Sequence, residues 1–360
     1  MDEIKDFVKR MIWENENYQK DLEQYYKYIE QQLLKIDSIL ITGCTGLIGS
    51  YLIDLLVYYN RKSVHKINIK AVARDKEKVA RRFKYIKESD NVSFVYGSIT
   101  CPIDIEENVQ WIVHLASNAD PISYAKYPVE TILTNIEGTK NVLDLAKEKG
   151  AKVLLASTME VYGAVQKESI EETDIGYLDF NNMRAGYPES KRVAEVLCRS
   201  YMEQYGIEFD VARLGYIYGP TMMSSDSKAV AQFLRKAAMK QDIELKSAGK
   251  QYRSYCYVGD VVSALLFIMS ANKHGEVYNV ANKYSNTTIL DLAKEISKQA
   301  NVDIKYVEAT EIEGKGFSKP NNVILNEDKL RELGWQSKKG LKEGIKTTLD
   351  ILLSLEEMQS

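Results

Sequence analysis

Ser38-Ile39-Leu40-Ile41-Thr42-Gly43-Cys44-Thr45-Gly46-Leu47-Ile48-Gly49-Ser50-Tyr51-Leu52 is the stretch that decides how this chain folds. A short apolar run stops at Thr42, three glycines follow at equal spacing, and a helical pattern then begins. That order predicts a buried strand, a tight turn and a helix N-terminus. The free N–H groups and the dipole at such a helix start favour an anion. The arrangement fits a dinucleotide pyrophosphate: Gly43 suits the turn, Gly46 lets phosphate reach the backbone, and Gly49 lets the helix lie against the strand. Thr45, Leu47 and Ile48 complete the loop around it. The spacing Gly-x-x-Gly-x-x-Gly differs from the commoner Gly-x-Gly-x-x-Gly, and a glycine triplet by itself has little specificity.

A second constellation lies far downstream. The apolar run Val153-Leu154-Leu155-Ala156 leads into Ser157-Thr158-Met159-Glu160-Val161-Tyr162-Gly163, and Tyr187-Pro188-Glu189-Ser190-Lys191 follows. Tyr187 and Lys191 stand four residues apart, so on a helix they share a face. An ammonium beside a phenol lowers the phenol's pKa by favouring phenolate. Thr158 can bond both that phenol and a substrate hydroxyl. The set is a proton acceptor for a sugar carbinol, with a nicotinamide taking the hydride.

Outward from these stretches, apolar strands alternate with amphipathic helices from Ser38 to about Pro220. The predicted strands are Ser38–Thr42, Lys66–Ala73, Val92–Tyr96, Trp111–Leu115, Lys152–Ser157 and Asp210–Leu214. The predicted crossover helices include Leu47–Tyr59, Val129–Lys149 and Tyr187–Tyr205. Such alternation implies an α/β fold: a Rossmann-type, doubly wound parallel sheet with helices on both faces. A smaller C-terminal substrate-binding portion is expected beside it, with helices at Lys228–Met239, Ile289–Gln299 and Leu341–Leu353 and a returning strand at Tyr278-Asn279-Val280. The expected division is a helical extension over 1–36, a dinucleotide domain over 37–215 plus 254–283, and a substrate portion over 216–253 plus 284–360. In the extension, Phe7, Met11, Ile12, Leu22, Tyr25, Tyr26, Ile29, Leu33 and Leu34 recur at helical spacing and suggest a cap on the body or on a partner subunit.

Composition narrows the function classes. With 48 basic against 51 acidic residues the net charge is −3, so no basic field calls for nucleic acid. No run approaches the ~18 apolar residues of a membrane span. Met1-Asp2-Glu3-Ile4-Lys5 lacks a signal peptide's apolar core, and the four scattered cysteines read as free thiols, which together predict a cytoplasmic protein. Three histidines without carboxylate–serine or metal-ligand spacing leave little for a hydrolase triad or a metal site.

These motifs together resemble the extended short-chain dehydrogenases/reductases that act on nucleotide sugars. The resemblance runs from about Ile39 to Trp335. It includes Val113-His114-Leu115-Ala116-Ser117, Asn135-Ile136-Glu137-Gly138-Thr139, Arg213-Leu214-Gly215-Tyr216-Ile217-Tyr218-Gly219-Pro220, Arg253-Ser254-Tyr255-Cys256-Tyr257-Val258-Gly259-Asp260 and Glu332-Leu333-Gly334-Trp335. It implies that Leu115, Ala116, Ser117 and Asn135 stand beside the cofactor, along with Tyr187 and Lys191. It places Ser98 and Ile99 at the adenine end, although Ser98 stands where the family often has Asp. Asn118, Met159, Tyr216 and Arg253 are expected to face the substrate, with Arg253 on a diphosphate or carboxylate and Met159 against nicotinamide or sugar. A homodimer is expected through the helices at Val129–Lys149 and Tyr187–Tyr205, whose apolar positions Ile132, Val142, Leu145, Val193, Val196, Leu197 and Tyr201 exceed one sheet-facing stripe.

Two choices stay open at this level. An acidic residue after the second strand usually grips the adenosine ribose. Here Asp75 comes late and Arg74 precedes it, able to stack on adenine or to meet a 2′-phosphate. NAD is the expectation, because relatives that oxidise and reduce within one turnover hold NAD; Arg74 keeps NADP as the alternative. The reaction turns on Thr158-Met159-Glu160. The family's 4,6-dehydratases carry Thr-Asp-Glu, and Met159 cannot give a proton. The UDP-glucuronate decarboxylases carry Thr-Ser-Glu and a stretch resembling Arg184-Ala185-Gly186-Tyr187-Pro188-Glu189-Ser190-Lys191-Arg192. The expected reaction is transient C4 oxidation of the decarboxylase or dehydratase type, with Tyr187 as base and Glu160 serving the middle step. The alternatives are an epimerase of a nucleotide sugar or nucleotide-linked alditol, and a net dehydrogenase or reductase.

Overall fold

In the computed structural model, which describes residues 12–311 and 324–357, the predicted strands join one parallel sheet. Helix α1 (Glu16–Leu33) comes first. Then β1 (Ser38–Thr42), α2 (Leu47–Lys62), β2 (Asn68–Ala73), α3 (Lys76–Arg82), β3 (Val92–Tyr96) and β4 (Trp111–His114) follow. Next come α4 (Pro121–Lys126), α5 (Pro128–Lys149), β5 (Lys152–Thr158), α6 (Gly186–Tyr205) and β6 (Phe209–Leu214). The chain continues through β7 (Tyr216–Tyr218), α7 (Ala229–Ala238), β8 (Ile243–Leu245), β9 (Tyr252–Tyr257), α8 (Val258–Ser270) and β10 (Glu276–Val280). It ends with β11 (Asn286–Thr288), α9 (Ile289–Ala300), β12 (Ile304–Tyr306), α10 (Asp328–Arg331) and α11 (Leu341–Glu357).

The main sheet runs β10-β6-β5-β4-β1-β2-β3 with every neighbour parallel. Its strands are apolar on both faces because helices cover both. Ile39 and Ile41 enter one core while Leu40 enters the other, as a two-residue period requires. Strand β2 starts later than expected. Asn60 takes up both backbone groups of Ile67 through its side-chain amide, so the ladder begins at Asn68. The return strand becomes β10, an edge of the main sheet beside β6.

A smaller layer follows the sheet. Strand β9 lies between β7 and β11, and β8 pairs with β12. The expected division at 253/254 falls inside β9.

Helix α1 packs on the body. Tyr18, Leu22, Tyr25, Ile29 and Leu33 are fully buried against α2 and α8. Their hydroxyls are satisfied, as burial demands: Tyr18 donates to Asp54 at 2.5 Å and Tyr25 to Asp260 at 2.8 Å. Asp21 accepts from Tyr51 and Tyr257 at 2.8 and 2.7 Å. Phe7 and Met11 lie outside the described residues.

Candidate active site

Strands β1, β4 and β5 are neighbours in the sheet, and the predicted site residues gather beyond their C-terminal ends. At the end of β1, Gly43 has φ +68°, and a Cβ there would sit 2.8 Å from the backbone N of Ala116. A Cβ at Gly49 would meet the Gly43 carbonyl at 2.5 Å, which is why α2 can lie on the turn only with glycine there. Gly46 has an ordinary φ of −79° and caps α2 without any side-chain hydrogen bond. A Cβ on it would project mostly into open space, with only the Gly43 oxygen at 3.2 Å. The helix start is therefore bare, with room for an anion on its N–H groups. These are features a dinucleotide pyrophosphate requires, so the chain's residues fit that group. Thr45 is in the turn, and Leu47 and Ile48 anchor the first turn of α2 in the core below. Thr42 Oγ1 accepts from the N–H groups of Leu115 and Ala116 at 3.1 and 3.2 Å, tying the ends of β1 and β4 together. It also pairs with His114 Nδ1 at 2.8 Å; burial and the Lys191 charge push that imidazole down to about 3, so it is neutral.

Thr158 ends β5, and its hydroxyl accepts the Glu160 N–H at 3.2 Å to start a tight turn over Met159–Tyr162. Tyr187 and Lys191 are buried on the first turns of α6. Lys191 Nζ donates to the Ala156 carbonyl at 2.9 Å, which draws it to the strand carrying Thr158. The Tyr187 ring stacks on Tyr124 of α4, with centroids 4.5 Å apart. The Arg184 guanidinium lies 4.4 Å from the Tyr124 ring centre, and its Nη2 is 2.7 Å from each Glu160 oxygen. Tyr187, Tyr124, Arg184 and Glu160 thus form one continuous stack.

The phenol's electrostatics run against the expectation from sequence. Burial first, then the Glu160 charge, raise the Tyr187 pKa well above the usual phenol value. The Thr158 and Tyr124 hydroxyls and Arg184 oppose this only in part. Burial lowers Lys191 to about 8, with Glu195 acting against it. Desolvation is the first cause of both shifts, because both groups are enclosed.

A polar chain holds the base of α6. Ser117 Oγ donates to Asn135 at 2.7 Å, Asn135 to Ser190 at 2.9 Å, and Ser190 to the Tyr187 carbonyl at 2.8 Å. In front of the stack opens a cleft lined by Tyr124, Glu160, Arg184, Tyr216, Arg253 and Lys228, among others. Arg253 is buried, its guanidinium 5.2 Å from the Tyr216 ring centre.

Several expected neighbours lie elsewhere. Met159 turns away from the cleft into a small core with Val161, Tyr162, Ile170, Ala281 and Leu325, because the tight turn after Thr158 aims it there. Pro121, Ile122 and Tyr124 form the cleft wall expected of Asn118, since the chain leaves Asn118 to begin α4. The Ile99 side chain packs under Gly138 in the core between sheet and α5. Ser98 bonds Thr100 at 2.8 Å, and Asp75 caps α3 through the Lys78 N–H at 2.9 Å; Arg74 is exposed beside it. Of the apolar positions expected between two copies, Val142 and Leu145 are buried in the core, whereas Val193 and Val196 are exposed. Sequence reasoning missed Tyr124, for which no pattern exists. It quoted Arg184 only as part of a motif; its place three residues before Tyr187 was the available signal. Among the described residues no His, Cys, Asp and Glu cluster could hold a metal ion, and no helix is long and apolar enough to cross a membrane.

Comparison with known proteins gives concordant matches. The profile of the NAD dependent epimerase/dehydratase family matches residues 39–281. The chain is 36% identical over 315 residues to UDP-glucuronic acid decarboxylase 3 of Arabidopsis thaliana, covering 85% of this chain and 86% of that one. It is 32% identical over 339 residues to UDP-glucuronic acid decarboxylase 1 of Xenopus tropicalis, covering 93% and 76%. Among solved structures, dTDP-glucose 4,6-dehydratase of Bacillus anthracis in complex with NAD superposes with a TM-score of 0.72 at 24% identity, covering 89% of this chain and 98% of the other.

Proposed function

The chain belongs to the NAD dependent epimerase/dehydratase family, and from that premise we propose that it removes the C5 carboxylate of a UDP-glucuronate-type nucleotide sugar as carbon dioxide. The observation that carries this reading is the Glu160–Arg184 pair in the cleft lining, joined through Tyr124 to the buried Tyr187. The names of the relatives reported above support the same choice.

In this reading Gly43, Gly46, Gly49 and the start of α2 hold the NAD pyrophosphate, and Leu115 to Ser117 line its inner side. NAD, when bound, supplies a cationic ring that draws the electron pair of the sugar's C4–H bond and later returns it. Tyr187 takes the C4 hydroxyl proton, with Thr158 aligning that hydroxyl and Lys191 steadying the charge that develops. The Arg184 charge and the Thr158 and Tyr124 hydroxyls oppose the burial that keeps Tyr187 protonated. With C4 a ketone, the C5–carboxylate bond breaks, carbon dioxide leaves, and the electron pair spreads into the carbonyl. Glu160, held by Arg184, positions the ring and relays a proton from solvent to C5, and Tyr187 gives its proton back to the C4 oxygen as the electron pair returns. Arg253 and Lys228 serve the diphosphate. Asn135 acts through Ser190 and is a positioning residue for α6.

Mass spectrometry of UDP-glucuronate after incubation with the protein tests this. Loss of one carbon dioxide, with no accumulation of reduced cofactor, is expected. A product of unchanged mass would make the enzyme an epimerase, and stoichiometric reduced cofactor would make it a net dehydrogenase.

The assembly we propose is a homodimer through the exposed side of α5 and α6, where Val129, Leu133, Val193 and Val196 are uncovered. A monomer by light scattering at micromolar concentration would reject it. The four cysteines are free thiols, which suits a reducing compartment and a cytoplasmic enzyme.

A further inference from the structure

In the proposed reaction Lys191 steadies the charge that develops on Tyr187, and it can do so only while it carries its own. Its place works against that charge. Lys191 is buried, and its Nζ donates to the Ala156 carbonyl at 2.9 Å. Burial of an amine favours the neutral form. One turn further along α6, on the same helix face, stands a carboxylate, Glu195. Two strands fix its position. Ser157 of β5 and Arg213 of β6 are register partners, so their side chains leave the sheet on one face. Ser157 Oγ donates to Glu195 Oε1 at 2.5 Å, and Arg213 Nη2 donates to Oε2 at 2.7 Å. Ser157 directly follows Ala156, the anchor of Lys191. The carboxylate and the ammonium are thus fastened to consecutive residues of β5 as well as to one face of α6.

The titratable neighbours of Lys191 on the packed elements are otherwise uncharged or paired elsewhere. On β4, His114 is neutral. On α6, Tyr187 keeps its proton, and burial pushes the Cys198 thiol up to about 12. Glu160 and Arg184 pair with each other in the stack on Tyr187. After burial, Glu195 has the largest influence on Lys191, and it acts to keep the proton on. Arg213 does not spend its whole charge on Glu195. Its Nη1 donates to the Glu172 carbonyl at 2.8 Å, and its guanidinium lies 4.7 Å from the Tyr162 ring centre.

We propose that Glu195 is a positioning residue for the reaction: clasped by Ser157 and Arg213, its carboxylate keeps the ammonium of Lys191 charged beside Tyr187. The role rests on the reading of Tyr187 as the base at C4. Two measurements on the full chain test it. The first is NMR of protein labelled with carbon-13 at lysine Cε, with Lys191→Met as the blank. Glu195→Gln keeps an acceptor for Ser157 and removes the charge, so Lys191 should titrate about one pH unit lower, as loss of a nearby opposite charge requires. Arg213→Gln frees the Glu195 carboxylate, so Lys191 should titrate higher. The second is single turnover with UDP-glucuronate, followed as reduction of bound cofactor. The alkaline limb of its rate should move down in Glu195→Gln and up in Arg213→Gln. An unmoved Lys191 titration in Glu195→Gln, or a shift of the same sign in both variants, would overturn the role. So would a rate lowered by one constant factor at every pH, the mark of a purely structural tie. No cofactor reduction by the wild type at any pH would overturn the reading of Tyr187, and the role with it, even where the Lys191 titration shifts as expected.

Discussion

At the scale of single residues, the site is governed by burial. Tyr187 is enclosed by Tyr124, Thr158 and the Glu160–Arg184 pair, and its phenol holds its proton to high pH. Glu160→Gln removes the charge that, after burial, does most to raise it, and frees Arg184 to act on the phenol. Tyr187 should therefore ionise at lower pH in this variant, as followed by tyrosinate absorbance against a Tyr187→Phe blank. The two substitutions should also separate in single turnover. Tyr187→Phe keeps the ring stack but removes the proton acceptor, so turnover should fall by about 10²–10⁴-fold with no reduced cofactor appearing. Glu160→Gln should still reduce the bound cofactor and then stall with a 4-keto sugar. Wild-type turnover in Glu160→Gln would reduce Glu160 to a strand-end carboxylate and remove the support for decarboxylation.

At the scale of elements, three contacts set the site's geometry: the turn under α2, the clasp of α1 on α8, and the tether of α6 to β5. Gly46 has a backbone conformation open to any residue, and a Cβ there would meet only the Gly43 oxygen, at 3.2 Å. Gly46→Val should fold normally and lose NAD(H), which fluorescence titration would reveal; retention of the cofactor would refute the placement of the pyrophosphate. Gly259 is different, because a Cβ there would land on the Tyr25 ring. Gly259→Ala should cost about 1–3 kcal/mol by overpacking, read from urea denaturation. An unchanged midpoint would mean that α1 does not seat on α8 through Tyr25. Near the site, Glu195 lies one turn beyond Lys191, bonds Ser157 at 2.5 Å and pairs with Arg213 at 2.7 Å. That pair ties α6 to β5 and β6 and supplies the charge that partly offsets the desolvation of Lys191.

Across the whole molecule, buried acids link stability to pH. Asp210 on β6 is fully buried, accepts the Glu276 N–H at 3.2 Å and faces His274, with Lys152 and Glu208 nearby. Burial pushes its carboxyl up to about 8, whereas an unfolded Asp titrates near 4. Its folded pKa is raised, so its contribution to stability is complete below about pH 4 and is lost as the pH rises through about 8. Asp210→Asn keeps the acceptor for Glu276 and removes the titration. Thermal denaturation of the variant should fall less between acid and mildly alkaline pH than that of the wild type. Parallel curves would show that Asp210 is ionised in the native state.

The strand–glycine–helix stretch and the Tyr187/Lys191 pair were legible without coordinates, because each depends on local rules. Apolar runs make strands buried on both faces, glycine alone tolerates the close approach at positions 43 and 49, and a four-residue spacing puts two side chains on one helix face. The family and the doubly wound sheet follow from such signals. What only the tertiary structure decided depends on residues distant in sequence. Tyr124 meets Tyr187 because α4 folds over α6. Arg184 finds Glu160 because the loop before α6 returns to β5. Met159 leaves the cleft for a core that includes Leu325, and α1 becomes part of the body through Tyr25 and Gly259. The sign of the Tyr187 shift belongs to the same group: proximity of a lysine can be read along a helix, whereas desolvation is set by everything that closes around it.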